Sequence, residues 1–243
     1  MLGWKQVGAY RQMSKSLVNR SSPDRGNNMR TTRPRVLLAD DHAIVTEGLK
    51  SILDPEFELV GTAEDGRNLI AAAEALQPDV IVADITMPHL NGLDAVRAIK
   101  ERNVPTKVVF LTMHSDPDLA TEAFRVGASG YVLKQSAGEE LITAIHAVLQ
   151  GEIYVTPELK QEVLEAPSRA GSDPDRTVVN LTARQREVLQ LVAEGHTMKE
   201  IASALNVSTR TVESHKYDVM EKLGIGTTAE LIQYAIQRGI VSL

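Results

Sequence analysis

The sequence predicts an α/β protein: a doubly wound, five-stranded parallel sheet followed by a small all-α block of four helices. Three observations carry this. Five short apolar runs alternate with amphipathic stretches over the first two thirds of the chain, the signature of successive βα units. Those runs are apolar throughout rather than every second residue, as in strands buried on both faces. Past residue 180 only helical periodicity remains.

The strands are read at 36–39 ("VLLA"), 57–63 ("FELVGTA"), 79–83, 107–111 ("KVVFL") and 130–133 ("GYVL"). The helices between and after them fall at about 43–53, 67–76, 92–102, 117–126 and 138–150. A further helix is expected at about 157–165, and "APSRAGSDPDRTVVN" (166–180) has the Pro, Gly, Ser and Asp content of an exposed linker. Capping-box pairs Thr182/Gln185, Thr197/Glu200 and Thr227/Glu230, with Ser208 as a further cap, start four helices near 183–194, 198–205, 209–223 and 228–238. Gly195, Gly224 and Gly239 stand where helices end. The short helix, the "LNVS" connection and the longer helix make a helix-turn-helix pattern. The domains expected are therefore a basic tail (1–33), an α/β domain (34–150), a helix and linker (151–180) and a helical domain (181–243). The tail is either disordered or marks a start codon assigned too early, with Met29 as the true start.

Composition narrows the chemistry. With no cysteine among 243 residues, disulfides, thiolate metal sites and cysteine nucleophiles are excluded. No apolar run approaches the roughly 18 residues of a membrane span. The net charge of −6 is segregated: +6 over 1–33, −9 over 34–150, −3 over 151–180 and zero over 181–243. The acidic block repels nucleic acid, and the neutral block can bind it only if its cations gather on one side.

Polar residues at the strand ends define a candidate site. Asp40 and Asp41 follow strand 1, Asp84 ends strand 3, Thr112 follows strand 4 and Lys134 ends strand 5. In a doubly wound sheet these four strands are neighbours, and their carboxyl ends line one cleft. Taken singly, each residue is ordinary: a helix cap, a strand-end hydroxyl, a solvated lysine. Together, three carboxylates would repel one another unless a hard cation held them, and Mg²⁺ suits few-carboxylate sites that also bind a phosphate. The set fits phosphoryl transfer to Asp84, with Mg²⁺, Lys134 and Thr112 neutralising charge on the phosphoryl oxygens. A phosphatase of the haloacid dehalogenase type would use a similar nucleophile, but needs a second Asp two residues on, where this chain has Thr86.

The segments "VLLADDH", "DVIVADITMPHLNGLDAV", "VVFLTMH" and "GYVLK" resemble the flavodoxin-like receiver domains of bacterial two-component response regulators over about residues 34–150. The resemblance implies that Asp84 takes phosphate from a sensor histidine kinase, that Asp40, Asp41 and Asp84 hold Mg²⁺, and that Thr112 and Lys134 contact the phosphate. It implies a switch in which Thr112 moves toward the phosphoryl group while Tyr131 turns inward. Thr86 and His114 occupy positions that influence the lifetime of the aspartyl phosphate in receivers. Where many receivers have proline after the lysine, this chain has Gln135.

The segment "LTARQREVLQLVAEGHTMKEIASALNVSTRTVESHKYDVMEKLGI" resembles the LuxR-type helix-turn-helix across about 181–243. Joined to a receiver, it gives the arrangement of NarL/FixJ-type regulators. Ile201, Ala202, Leu205, Val207, Val212, Val219, Met220 and Leu223 repeat at core spacing. On the other face, Glu213, Ser214 and Tyr217 match the family's base-reading positions, while Lys199, Arg210, Thr211, Lys216 and Lys222 suit phosphate contacts. Glu213 either accepts from a cytosine amino group or is a solvated helix residue. His215 reads as half-buried packing. The last helix, with Leu231, Ile232, Ala235 and Ile236, serves either dimerisation or the core. The expected protein is a cytoplasmic, Mg²⁺-dependent regulator with no membrane partner. It would bind promoter half-sites in double-stranded DNA as a phosphorylated homodimer. Unphosphorylated, its receiver would mask the recognition helix or the dimer surface.

Overall fold

The computed structural model describes residues 33–169 and 181–241. The expected tail, apart from Arg33, and most of the expected linker lie outside the described residues. Strands β1 (Arg35–Ala39), β2 (Glu58–Ala63), β3 (Val80–Ala83), β4 (Lys107–Thr112) and β5 (Gly130–Leu133) alternate with helices. These are α1 (Ala43–Leu53), α2 (Gly66–Leu76), α3 (Gly92–Glu101), α4 (Pro117–Arg125) and α5 (Ala137–Leu149). The sheet is parallel and ordered β2-β1-β3-β4-β5-β6.

It has six strands where the sequence predicts five. The sixth, β6 (Tyr154–Val155), extends the edge beside β5, pairing Tyr154 with Gly130 and Val155 with Tyr131. Two residues leave no periodicity to read. The pairing is held instead by neighbours: Thr156 donates its N–H to the Tyr131 carbonyl at 3.0 Å, and its hydroxyl accepts from Leu133 N–H at 3.1 Å. Helix α6 (Pro157–Arg169) follows, running into the segment expected as linker.

Alternate strand residues feed two cores, because successive side chains leave a strand on opposite faces. Leu37, Ile81, Phe110 and Tyr131 pack under α2, α3 and α4, while Leu38, Val82, Val109 and Val132 pack under α1 and α5. Each large aliphatic or aromatic side chain so buried contributes about 1.5–3 kcal/mol. With both faces covered, polar groups can gather only at the strand ends. The register aligns Ala39 with Ala83 and Ala83 with Phe110, so Asp40 and Asp84 emerge side by side. Asp84 N–H continues the ladder to the Ala39 carbonyl at 2.7 Å.

The loop after β3 closes tightly between two glycines. Gly66 donates to the Leu90 carbonyl at 2.9 Å and Gly92 to the Ile85 carbonyl at 2.7 Å. A Cβ on Gly92 would fall 2.0 Å from the Asp84 carbonyl oxygen, so only glycine fits.

Helices α7 (Ala183–Ala193), α8 (Met198–Leu205), α9 (Thr209–Leu223) and α10 (Thr228–Gln237) form the last block. All three predicted capping boxes are present, and Ser208 caps α9. Gly195, Gly224 and Gly239 have positive φ, and Asn206 ends α8 in the left-handed region. Ile201, Leu205, Val212 and Val219 join Val188, Leu189, Leu231 and Ala235 in one core. Leu231 and Ala235 of α10 are thus core residues, while Ile232 and Ile236 are half-buried. Among the described residues no helix is long and apolar enough to cross a membrane.

Candidate functional site

At the carboxyl ends of β1, β3 and β5 one ammonium group bridges two carboxylates. Lys134 Nζ lies 2.7 Å from Asp84 Oδ2 and 2.6 Å from Asp40 Oδ2, and all three side chains are less than a tenth exposed. Burial pushes the Asp84 carboxyl up; the Lys134 charge and hydrogen bond offset part of that and the Asp40 charge adds to it, leaving a net rise. Burial alone would lower Lys134, but Asp84 and Asp40 outweigh it and hold the ammonium above its usual range. Asp84 Oδ1 accepts from Thr86 N–H at 3.3 Å. Asp40 Oδ2 is paired in charge with Lys134 but lacks a well-aligned hydrogen bond, so a buried oxygen keeps unspent acceptor capacity.

Asp41 sits at the more open rim, with His42 Nδ1 3.0 Å from its Oδ1 and 3.3 Å from Asp40 Oδ1. One ligand atom from each of Asp40, Asp41, His42 and Asp84 lies within 4.8 Å of the others. Hard carboxylate oxygens and a buried oxygen with spare capacity fit a hard divalent cation. Sequence reasoning missed His42; the run Asp40-Asp41-His42 was the available signal.

Thr112 is fully buried, and its hydroxyl oxygen accepts from His114 N–H at 3.2 Å. Tyr131 is fully buried as well, and its hydroxyl donates to the His114 carbonyl at 2.8 Å. The inward position expected of it on switching is therefore already occupied here. Burial, aided by the charges of Asp116 and Asp84, raises the Tyr131 phenol far above its ordinary value.

The second candidate surface is α9 with the start of α8. Lys199, Arg210, Glu213, Ser214 and Lys222 are exposed, and Tyr217 is 67% exposed. Thr211 is half-buried and bound into the cap of α9, its hydroxyl 2.8 Å from that of Ser208. Lys216 donates to Thr228 Oγ1 at 2.6 Å and Lys222 to Gln185 Oε1 at 2.8 Å, so these two cations are held within the bundle. His215 is half-buried, its Nδ1 withdrawn from water with no hydrogen-bond partner among the described residues.

An interface that sequence reasoning did not find joins the bundle to the sheet. Gln190 of α7 is fully buried and uses its whole amide. Its Oε1 accepts from Asn91 N–H at 2.8 Å and Asn91 Nδ2 at 3.1 Å; its Nε2 donates to the Met87 carbonyl and to Glu194 Oε1, both at 2.8 Å. Arg186 pairs with Asp94. Thr86 Oγ1 lies 3.0 Å from His114 Nε2 and donates to the Gly239 carbonyl at 3.3 Å. The loop beginning two residues after Asp84 is thus the platform on which α7 and the end of α10 rest. Glu213, Ser214 and Tyr217 of α9 stay exposed beside this docking, so of the two maskings expected, that of the recognition helix does not occur here. Gln190 gave no signal because it lies in the apolar run Val188–Val192, where it passes for a helix-surface residue.

Residues 36–146 match the response regulator receiver domain family, and residues 179–235 the luxR family of bacterial regulatory proteins. The chain is 37% identical over 216 residues to the transcriptional regulatory protein MctR of Rhizobium johnstonii, covering 87% of this chain and 98% of that protein. Among solved structures it resembles the RcsB response regulator of Salmonella typhimurium (30% identity, TM-score 0.60, 87% of this chain and all of that one). It also resembles RcsB bound to the rprA promoter in the presence of the phosphomimetic BeF3⁻ (32% identity, TM-score 0.56, 83% and 98%). The chain belongs to the NarL/FixJ-type response regulators, the DNA-binding transcriptional regulators of two-component systems.

Proposed function

We propose that Asp84 accepts a phosphoryl group from a sensor histidine kinase and that this governs how the helical domain binds DNA. The observation that carries the reading is the Lys134 ammonium spanning Asp40 and Asp84 at the end of a dry sheet. An Asp84 carboxylate oxygen attacks phosphorus, the P–N bond to the kinase imidazole breaks, and the imidazole leaves with that electron pair. Lys134 neutralises oxygen charge on the transferring group and Thr112 supplies a hydroxyl to it, since such transfer is mostly positioning and electrostatics. Asp40, Asp41 and Asp84 are the residues that would hold Mg²⁺, which when bound supplies further positive charge to the phosphoryl oxygens. The protein acts as a cytoplasmic regulator rather than a turnover enzyme.

The docking of α7 on the 86–91 loop supports an account of control. A phosphoryl group on Asp84 alters the anchor of that loop and weakens its hold on Gln190 and Gly239. Because Glu213, Ser214 and Tyr217 are already exposed, what docking withholds is the pairing of two helical domains on two half-sites. In that complex Glu213, Ser214 and Tyr217 read base edges and Lys199 and Arg210 contact phosphates, joined by Thr211, Lys216 and Lys222 once these exchange their contacts with Ser208, Thr228 and Gln185 for phosphate oxygens. A domain of zero net charge needs such pairing for useful affinity.

The test is incubation with a small phosphoryl donor and Mg²⁺. Intact mass should rise by one phosphoryl group, DNA affinity should rise with it, and Asp84→Asn should lose both gains. Equal DNA binding by treated and untreated protein would refute the switch.

A further inference from the structure

We propose that His89, Glu194 and His196 form a site for a borderline divalent transition ion of the zinc type, which staples the loop after β3 to the end of α7. Glu194 Oε2 lies 3.3 Å from His196 Nε2 and 3.9 Å from His89 Nδ1, and one ligand atom of each residue lies within 4.8 Å of the others. Tetrahedral zinc with nitrogen and oxygen ligands at roughly 2.1 Å separates them by about 3.4 Å, so the 3.3 Å spacing is met and the other two, all within 4.8 Å, need only side-chain adjustment on binding. Two imidazoles and one carboxylate suit zinc, nickel or copper rather than magnesium.

The supporting shell is built. Glu194 Oε1 is fully engaged, accepting from His89 N–H and Gln190 Nε2 at 2.8 Å each. That fixes the carboxylate and leaves Oε2 turned to the two rings, the kind of outer hydrogen bonding that orients metal ligands. His89 is held at φ +65, a conformation uncommon for a non-glycine residue, and its ring lies 6.1 Å from that of His196. The His89 side chain is 52% exposed and that of His196 35%, so an ion can enter and water can complete its coordination. His89 belongs to the receiver, Glu194 and His196 to the helical bundle; a bound ion would strengthen the same docking that Gln190 makes. By reciprocity, an ion that prefers the docked form opposes whatever separates the two domains. That last consequence rests on the proposed switch; the site itself does not.

Full-length protein without phosphoryl donor is titrated with Zn²⁺ against a chromophoric chelator, in excess Mg²⁺ to occupy the carboxylate pocket. One Zn²⁺ should bind, at least tenfold more weakly in His89→Ala and in His196→Ala. Amide exchange should slow together at 86–91 and 190–196 in wild type alone. Equal binding by wild type and both variants, protection confined to 40–42 and 84, or no binding at micromolar Zn²⁺ would each overturn the site. A further arm adds phosphoryl donor: if Zn²⁺ binds as expected but leaves the phosphorylation-driven DNA affinity unchanged, the staple stands and the proposed switch fails.

Discussion

At the strand ends, Asp40, Asp84 and Lys134 are nearly withdrawn from water and each fixes the others, whereas on α9 Glu213, Ser214 and Tyr217 stand in solvent with no ordering partner among the described residues. The first region spends folding free energy to hold charges where they would not otherwise go, so its geometry exists before any ligand arrives. The second carries almost no folding free energy and takes its geometry from what it binds. Residues of the pocket should therefore be felt in stability, and residues of the exposed α9 face, if they read DNA as proposed, in binding alone.

The largest effect should come from Lys134→Ala. It leaves Asp40 and Asp84 buried without their shared cation, a loss of about 3–5 kcal/mol in urea unfolding for a broken buried pair. Mg²⁺ should restore part of it, and a variant as stable as wild type would erase the contrast drawn here. Gln190→Ala should cost less, about 1–3 kcal/mol, by leaving the Met87 carbonyl and the Asn91 backbone N–H unpaired, and should speed amide exchange at Asn91. Glu213→Gln and Tyr217→Ala should stay within about 0.5 kcal/mol of wild type in unfolding. Yet each should change discrimination among DNA sites by about 1–3 kcal/mol, read from affinities for single-base variants.

The smallest effect concerns the sheet edge. Burial, then the hydrogen bond to Glu140 and its charge, raise the Tyr154 phenol from its ordinary 10.0 to about 12. A raised native value means stability that is complete below pH 10.0 and lost as pH climbs through about 12. Tyr154→Phe should flatten that alkaline decline in unfolding midpoints.

The pocket was legible because topology does the work: once five buried runs alternate with helices, Asp40, Asp84 and Lys134 fall at the same edge of the sheet, at the ends of β1, β3 and β5. The cores of both lobes were legible through periodicity, as Ile201, Val212 and Val219 illustrate. What escaped has no periodicity to betray it. Strand β6 is two residues set by Thr156 and the β5 edge. Gln190 is a polar residue whose receiver-side partners, Asn91 and Met87, lie about a hundred positions away in the chain. Lys216 and Lys222 read as phosphate contacts, yet each is tied to a helix start elsewhere in the bundle, Thr228 and Gln185.

Gly92 links these regions. Any side chain there must shove aside the peptide of the acidic residue behind it, and with it the Asn91 amide that Gln190 grips ahead. The geometry of the acidic pocket and the grip of Gln190 on the loop therefore cannot be altered independently by a substitution at that position.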